Sequence, residues 1–198
     1  MSARLATSRE LDRATETITL AFAEDPVWSV ALARSYGRVD HHVPYWRLFV
    51  DGAFEQGGIW VLDDAAVAVW IPPGGRELSE AAITALERFN VASLGEAGAR
   101  DMAELYERFE SNHPPAPPHA YLSLLATHPD HRGKGVGQQL LAQTLAAWDA
   151  AGVPAYLEST NPGNDHRYER AGFRRVGSFT TVRGDAPITT MWREIGEG

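Results

Sequence analysis

The sequence predicts an α/β (α+β) domain in which one mixed sheet is flanked by helices. Three observations point there. Short apolar runs bounded by Gly and Pro read as strands, longer segments carry apolar residues at helical spacing, and the second half alternates strand with helix. The chain's 198 residues amount to one domain. With 44% hydrophobic and 22% charged residues, the composition is globular, which excludes a disordered or fibrous chain.

Leu5 to Thr7 opens as a short strand. Ser8 then reads as the N-cap of a helix over Arg9–Ala23, with Leu11, Ala14, Ile18 and Ala21/Phe22 on its apolar face and Pro26 beyond its end. Two more helices follow, over Trp28–Ser35 and Pro44–Glu55. Gly57-Gly58 introduces a strand over Ile59–Leu62, and Asp63-Asp64 turns it into a second strand, Ala66–Ile71. Pro72-Pro73-Gly74-Gly75 ends this hairpin. Ser79 to Ser111 reads helical with a break near Ser93–Gly95. The run Pro114-Pro115-Ala116-Pro117-Pro118 is a stiff connector within one domain. Beyond it come a strand (Ala120–Thr127), a glycine loop, a helix (Val136–Ala150) and a strand (Pro154–Ser159). A short helix (Asn164–Arg170) and two terminal strands (Phe173–Thr181, Pro187–Arg193) complete the chain.

With 18 basic against 26 acidic residues, the net charge of −8 disfavours nucleic acid as a partner. All but one of the basic residues are arginine, the exception being Lys134. The absence of cysteine removes disulfides, thiolate metal sites and any cysteine nucleophile. No apolar run approaches the roughly 18 residues of a membrane span, and the first residues lack a signal peptide's apolar core. The expected location is cytoplasmic, with no membrane partner.

The glycine loop is the most informative stretch. Arg132-Gly133-Lys134-Gly135-Val136-Gly137 follows a strand and opens a helix whose core stripe is Val136, Leu140, Leu141, Leu145 and Trp148. Glycines at a helix N-terminus let backbone N–H groups approach an anion, and the dipole favours negative charge there. Arg132 and Lys134 add countercharge, so the loop suits a pyrophosphate. Both nucleotide fingerprints fail on spacing. Lys134 is followed by glycine rather than Ser or Thr, and the glycines run Gly-x-Gly-x-Gly. The residues alone also allow a helix entry with no ligand.

Placed after Leu125-Ala126-Thr127-His128-Pro129, the Arg-x-x-Gly-x-Gly pattern resembles the acyl-CoA-binding motif of the GNAT superfamily of N-acetyltransferases. The segment from Asn161 and Asn164 through Tyr168-Glu169 to Gly172-Phe173 resembles that superfamily's second motif. Ala21 to Pro26, Ile59-Trp60-Val61 to Trp70, Ala151 to Glu158 and Tyr168-Glu169-Arg170 are similar to the puromycin N-acetyltransferase-like group. Residues 76–118 match only loosely, as a helical insertion. The resemblance implies a GNAT-type, mostly antiparallel mixed sheet and acetyl-CoA as co-substrate. It implies pantetheine pairing along Leu125, Ala126 and Thr127, and a pyrophosphate cradle over Gly133–Gln138 (Gly133, Lys134, Gly135, Val136, Gly137, Gln138) beside Arg132. Asn161 and Asn164 take the places of cofactor contacts, though Asn-Pro-Gly-Asn is also a ready-made turn.

Tyr168 resembles the superfamily's general acid, a phenol that donates to the departing thiolate. The acceptor ammonium must also lose a proton. Glu158, ending its strand, ranks first as base ahead of Glu24, Asp25, His41, His42 and His119, with water as a further option. The His41-His42 pair otherwise reads as exposed residues at a helix start. His128 and His131 are too constrained by Pro129 and the glycine loop for a tetrahedral site, so no metal is expected. Trp28, Tyr36, Tyr45, Trp46 and Phe49 form an aromatic set that packs the core or walls a pocket for an aromatic or amphipathic amine.

The expected activity is acetyl transfer from acetyl-CoA to a primary amine of small-molecule size. Direct transfer is expected, since the absence of cysteine rules out an acetyl-cysteine intermediate and disfavours a ping-pong route. The alternatives are a protein N-terminal or lysine acetyltransferase and a non-catalytic acyl-CoA-binding regulator. Monomer and homodimer both remain open.

Overall fold

Strand β3 (Ala66–Ile71) is buried along its whole length, and the remaining elements are arranged around it. Alternation sends Val67, Val69 and Ile71 to one face of the sheet, and Ala66, Ala68 and Trp70 to the other. The computed structural model describes residues 2–34 and 39–196. In it β1 (Arg4–Leu5), β2 (Ile59–Leu62), β3, β4 (Ala120–Thr127), β5 (Ala155–Ser159), β6 (Arg174–Thr180) and β7 (Pro187–Arg193) form one sheet in the order β1-β2-β3-β4-β5-β7-β6. Every neighbouring pair is antiparallel except β4 with β5. This is the mixed, mostly antiparallel α/β sheet expected from the sequence.

Helices α1 (Leu11–Phe22), α2 (Trp28–Ala31), α3 (His42–Glu55) and α4 (Glu80–Asn112) cover the valine face of β3. Helix α5 (Val136–Ala150) covers the other face with Val136, Leu140, Leu141 and Leu145, and the partly buried Trp148 packs beside them. The short helix α6 (Asp165–Arg170) follows β5 through a 3-10 turn at Pro162–Asn164. Ser79 caps α4, accepting from the Ala82 N–H at 3.2 Å, and the helix breaks at Gly95, where φ is 72° and ψ 173°. That left-handed backbone is what a glycine admits without a Cβ penalty.

Some boundaries differ from the expectation. The first strand lies over Arg4–Leu5 rather than Leu5–Thr7. Thr7, not Ser8, forms the capping box. Glu10 accepts from the Thr7 N–H at 2.9 Å and hydroxyl at 2.8 Å, and a 3-10 turn over Ser8–Glu10 precedes α1. Arg4 also bonds Glu10, and these bonds together hold its carboxyl down at about 2. Helix α2 is a single turn ending at Ala31, and the predicted end at Ser35 lies outside the described residues. Among the described residues no helix is long and apolar enough to cross a membrane.

One buried carboxylate locks α6 to the sheet. Asp165, 1% exposed, accepts from Ser159 Oγ at 2.6 Å on β5 and Thr189 Oγ1 at 3.0 Å on β7, and pairs with Arg175 at 3.2 Å. Replacing it with alanine leaves the Thr189 hydroxyl without its acceptor, leaves Ser159 Oγ only the Asn161 carbonyl at 3.2 Å and strips Arg175 of its partner, and an unsatisfied buried group costs about 1–3 kcal/mol. Asp165→Ala is expected to lower unfolding stability by at least about 2 kcal/mol in a denaturant titration. An unchanged midpoint would mean that this lock carries no load.

Candidate active site

The site begins where two parallel strands part. β4 and β5 pair only at Ala120↔Ala155 and Tyr121↔Tyr156. On its other edge β4 pairs with β3, and Trp70↔Leu122 is followed by Val69↔Leu124, leaving Ser123 as an extra, unpaired residue. Such a bulge bends its strand and increases the local twist. It falls just beyond the last β4–β5 pair, so the two strands separate there. Backbone groups of the rest of β4 face a cleft of about 590 Å³ instead of a neighbouring strand.

The glycine loop closes the far end of β4. Gly133 and Gly135 both have φ of 76°, a left-handed conformation that disfavours any Cβ. At Gly137 a Cβ would stand 2.5 Å from Thr127 Oγ1. The backbone can therefore turn tightly and present the free N–H groups of the first turn of α5 to the cleft. Of the residues expected here, all but Ala126 and Lys134 line this one cleft. Ala126 turns its side chain into the core on the α1 face, and Lys134 Nζ donates to the Asp130 carbonyl at 2.8 Å. Arg132 lies 3.9 Å from Glu24 at the cleft mouth.

Both readings of the asparagines hold at once. Asn161 accepts from the Gly163 N–H at 3.0 Å and Asn164 from Arg167 at 3.1 Å, as turn residues do, while both line the cleft. Tyr168 stands on α6 with Phe173 edge-on at 6.2 Å. Burial, reinforced by the negative charges of Asp25 and Asp165, pushes its phenol up to about 12. The group keeps its proton across the neutral range and is available as a donor.

Carboxylates gather where β4 and β5 part. The Glu158 side chain is 2% exposed and lines the cleft; among the described residues none makes a well-formed hydrogen bond to either oxygen, though the Tyr121 and Tyr156 phenols approach the carboxylate. Glu77 and Glu110 line the same region. Sequence reasoning missed Glu77, which lies in the connection between β3 and α4, where no periodicity marks it. Tertiary contacts place it. Gln56 brackets the backbone of Arg76, accepting its N–H at 3.1 Å and donating to its carbonyl. Gly52 of α3 admits the Glu77 carbonyl so closely that a Cβ there would lie 2.2 Å from the oxygen, and Leu78 is buried. Ser123 was missed too, because the bulge that exposes it is set by the β3–β4 register and not by any cue in Ala-Tyr-Leu-Ser-Leu-Leu-Ala.

The other base candidates separate clearly. Asp25 is engaged, accepting from the N–H groups of Val27 at 2.9 Å and Trp28 at 3.1 Å and from Thr160 Oγ1 at 2.8 Å. It staples the α1–α2 corner to the end of β5, and burial raises its pKa. His41 and His42 are not exposed, as expected for a helix start, but buried at 3% and 4%. His41 Nε2 lies 2.7 Å from the Leu32 carbonyl, burial lowers the pKa of both rings, and neither lines the cleft. His128 Nδ1 accepts from the Asp130 N–H at 3.3 Å, a turn role. Of the aromatic set, Trp28, Trp46 and Phe49 reach the cleft while also packing the core, Tyr45 is core only, and Tyr36 lies outside the described residues. Phe109, stacked on Trp28 at 6.0 Å, adds a wall that the sequence did not suggest.

Residues 87–175 match the family model described as an acetyltransferase (GNAT) domain. The fold is similar to that of the Corynebacterium glutamicum structure titled histone acetyltransferase HPA2 and related acetyltransferase, with a TM-score of 0.67 and 24% identity over 100% of this chain and 97% of that one. Arylalkylamine N-acetyltransferase 2 from Aedes aegypti shows a TM-score of 0.67 at 14% identity, covering 98% of each chain. The ribosomal-protein-S18-alanine N-acetyltransferase from Escherichia coli shows 0.52 at 14%, over 100% of this chain and 95% of that one. Part of the chain thus matches a GNAT acetyltransferase domain model, and the whole chain shares its fold with these acetyltransferase structures.

Burial, together with the charges of Glu158 and Glu110, pushes Glu77 up to about 7, against the pull of a Ser123 hydrogen bond and of His113. A carboxyl raised in the folded state makes the fold most stable where the group is neutral, below its unfolded pKa. Wild type should therefore lose stability relative to Glu77→Gln as pH rises from about 4.5 to about 7, with a constant gap on the order of a few kcal/mol above that. Melting curves across this range check it. Parallel profiles for the two proteins would show that Glu77 is not desolvated.

Proposed function

We propose that the chain transfers the acetyl group of acetyl-CoA directly to the primary amine of a small molecule, with Tyr168 as general acid and Glu158 as base. The observation that carries this is the cleft between β4 and β5, which leads from the glycine turn to the buried Glu158 carboxylate. The free N–H groups at Val136, Gly137 and Gln138 suit the cofactor's pyrophosphate, with Arg132 beside them. The open backbone edge of Leu125, Ala126 and Thr127 suits the amides of pantetheine.

Acetyl-CoA supplies an activated thioester. Glu158 takes a proton from the acceptor ammonium, and the freed electron pair on nitrogen attacks the thioester carbonyl. The C–S bond breaks as the Tyr168 phenol donates its proton to the departing sulfur, and the second proton, shed by the acylated nitrogen, returns to the Tyr168 phenolate. Tyr168 is suited to this because burial keeps it protonated.

Trp28, Trp46, Phe49 and Phe109 give the acceptor end an apolar wall beside carboxylates, which fits an amphipathic or aromatic amine better than an extended polypeptide. Likeness to the puromycin N-acetyltransferase-like group agrees with this, although the insertion at 76–118, which supplies Glu77, Glu110 and Phe109, matches that group only loosely.

Acetyl-CoA at ~100 times its Kd should stabilise the fold by about 2.7 kcal/mol, read as a rise in Tm. No shift with millimolar acetyl-CoA or CoA would remove the cofactor assignment. Tyr168→Phe should keep that shift and lower kcat about 100-fold, the low end for acid–base groups because the thiolate is a fair leaving group. Unchanged kcat would make Tyr168 structural. A panel of small amines and amino-terminal peptides, followed by CoA release, tests the acceptor class, and turnover of peptides alone would contradict it.

A further inference from the structure

A second set of titratable groups meets Glu158 from behind the cleft. His113, which ends α4, places Nδ1 3.5 Å from Glu158 Oε1, and its Nε2 lies 3.0 Å from Nε2 of His119. His119 Nδ1 lies 2.8 Å from the carbonyl oxygen of Pro117. A carbonyl oxygen only accepts, so His119 carries its proton on Nδ1. In the neutral ring Nε2 is then the acceptor, and His113 must donate to it from its own Nε2. Neutral His113 consequently turns a lone pair at Nδ1 toward a carboxylate that also only accepts. When both are in their basic forms, the pair is one proton short of a hydrogen bond.

We propose that His113, held in a single tautomer by His119 and the Pro117 carbonyl, is a positioning residue that shares the proton Glu158 takes from the acceptor ammonium. This rests on Glu158 being the base. The N–H bond of the ammonium breaks and its electron pair stays on nitrogen. The proton comes to lie between Glu158 Oε1 and His113 Nδ1, completing the bond that the resting pair lacks. Amide formation from an ammonium and a thioester releases one proton overall, with the other leaving on the thiol. The His113 side chain is 31% exposed, so solvent can take that proton and reset the pair.

The surroundings leave this role to His113. Tyr121 and Tyr156 meet its ring edge-on at 4.9 and 4.8 Å. Burial, the Glu158 charge and hydrogen bonding toward Glu158 raise the pKa of both phenols, so each keeps its own proton as a donor and neither accepts the one that Glu158 takes. Burial lowers the pKa of His119, which favours the neutral ring that the tautomer argument requires. Among the described residues, Glu77 and Glu110 also face this corner as charged groups.

The test is the pH dependence of kcat for wild type, His113→Ala and Glu158→Gln at saturating acetyl-CoA, with the acetyl-CoA-induced rise in Tm as the measure of folding. His113→Ala should lower kcat at least about tenfold and leave KM for acetyl-CoA unchanged. Its acidic limb should move to lower pH, because the proton has lost its second resting place, and added imidazole should restore part of the rate. A wild-type rate and limb, or a lower rate with an unmoved limb and no rescue, would overturn the proposal. Should His113→Ala fail to bind acetyl-CoA, His119→Gln releases the tautomer instead. It should move the limb the same way by less, and an unmoved limb overturns the proposal equally. A wild-type profile for Glu158→Gln would remove the base assignment itself, and this role with it.

Discussion

The early parting of β4 and β5 is the constraint on which the site depends. Two paired residues tie the parallel strands together, and the unpaired Ser123 then bends β4 away. Unpaired backbone in a protein interior is costly unless something answers it. Here the exposed edge faces a cleft, and the proposed function uses it as a strand-pairing surface. The same divergence puts the glycine turn beyond one end of the free edge and Glu158 beside the other. A ligand lying along β4 would thus have its anionic group at the first turn of α5 and its reactive end among the carboxylates.

Charge is divided along that path. Arg132, Arg167 and Arg170 line the cleft, with Glu24 beside Arg132 and Asp25 nearby, while Glu77, Glu110 and Glu158 line it where the strands part. Apart from Glu158 on β5, the acidic side is built by α4 and the connection that leads into it. Gly52 and Gln56 of the α3 end fix the segment that carries Glu77, and α4 delivers Glu110 and His113. Asp25 and Asp165, both buried and fully engaged, hold the corner around Tyr168 from opposite sides. The helical layer therefore shapes the acceptor side, and the sheet with α5 shapes the cofactor side.

Much of the fold was legible because its cues are local. β2, β3, β4, α5 and β7 appear with the boundaries that apolar periodicity and Gly/Pro punctuation indicate. The break in α4 at Gly95 was legible for the same reason. The cap at Thr7 and the brevity of α2 were not, because a 3-10 turn and a loop reached through tertiary contacts decide them. Among site residues, the glycine loop, Tyr168 and Glu158 sit in recognisable segments. Glu77 and His113 do not, since what makes them notable is a neighbour distant in sequence. His41 and His42 show the converse: polar residues that look solvated become buried once α3 packs.

The central claim is that the free edge of β4 and the first turn of α5 form one binding track for acetyl-CoA. Amide hydrogen exchange with and without acetyl-CoA tests it most directly, because it reads the backbone groups concerned. Slowed exchange is expected in the segments holding Leu125, Ala126 and Thr127 and Val136, Gly137 and Gln138, with β6 and the outer face of α5 unchanged. Slowed exchange confined to other parts of the molecule, or none at saturating acetyl-CoA, would contradict it.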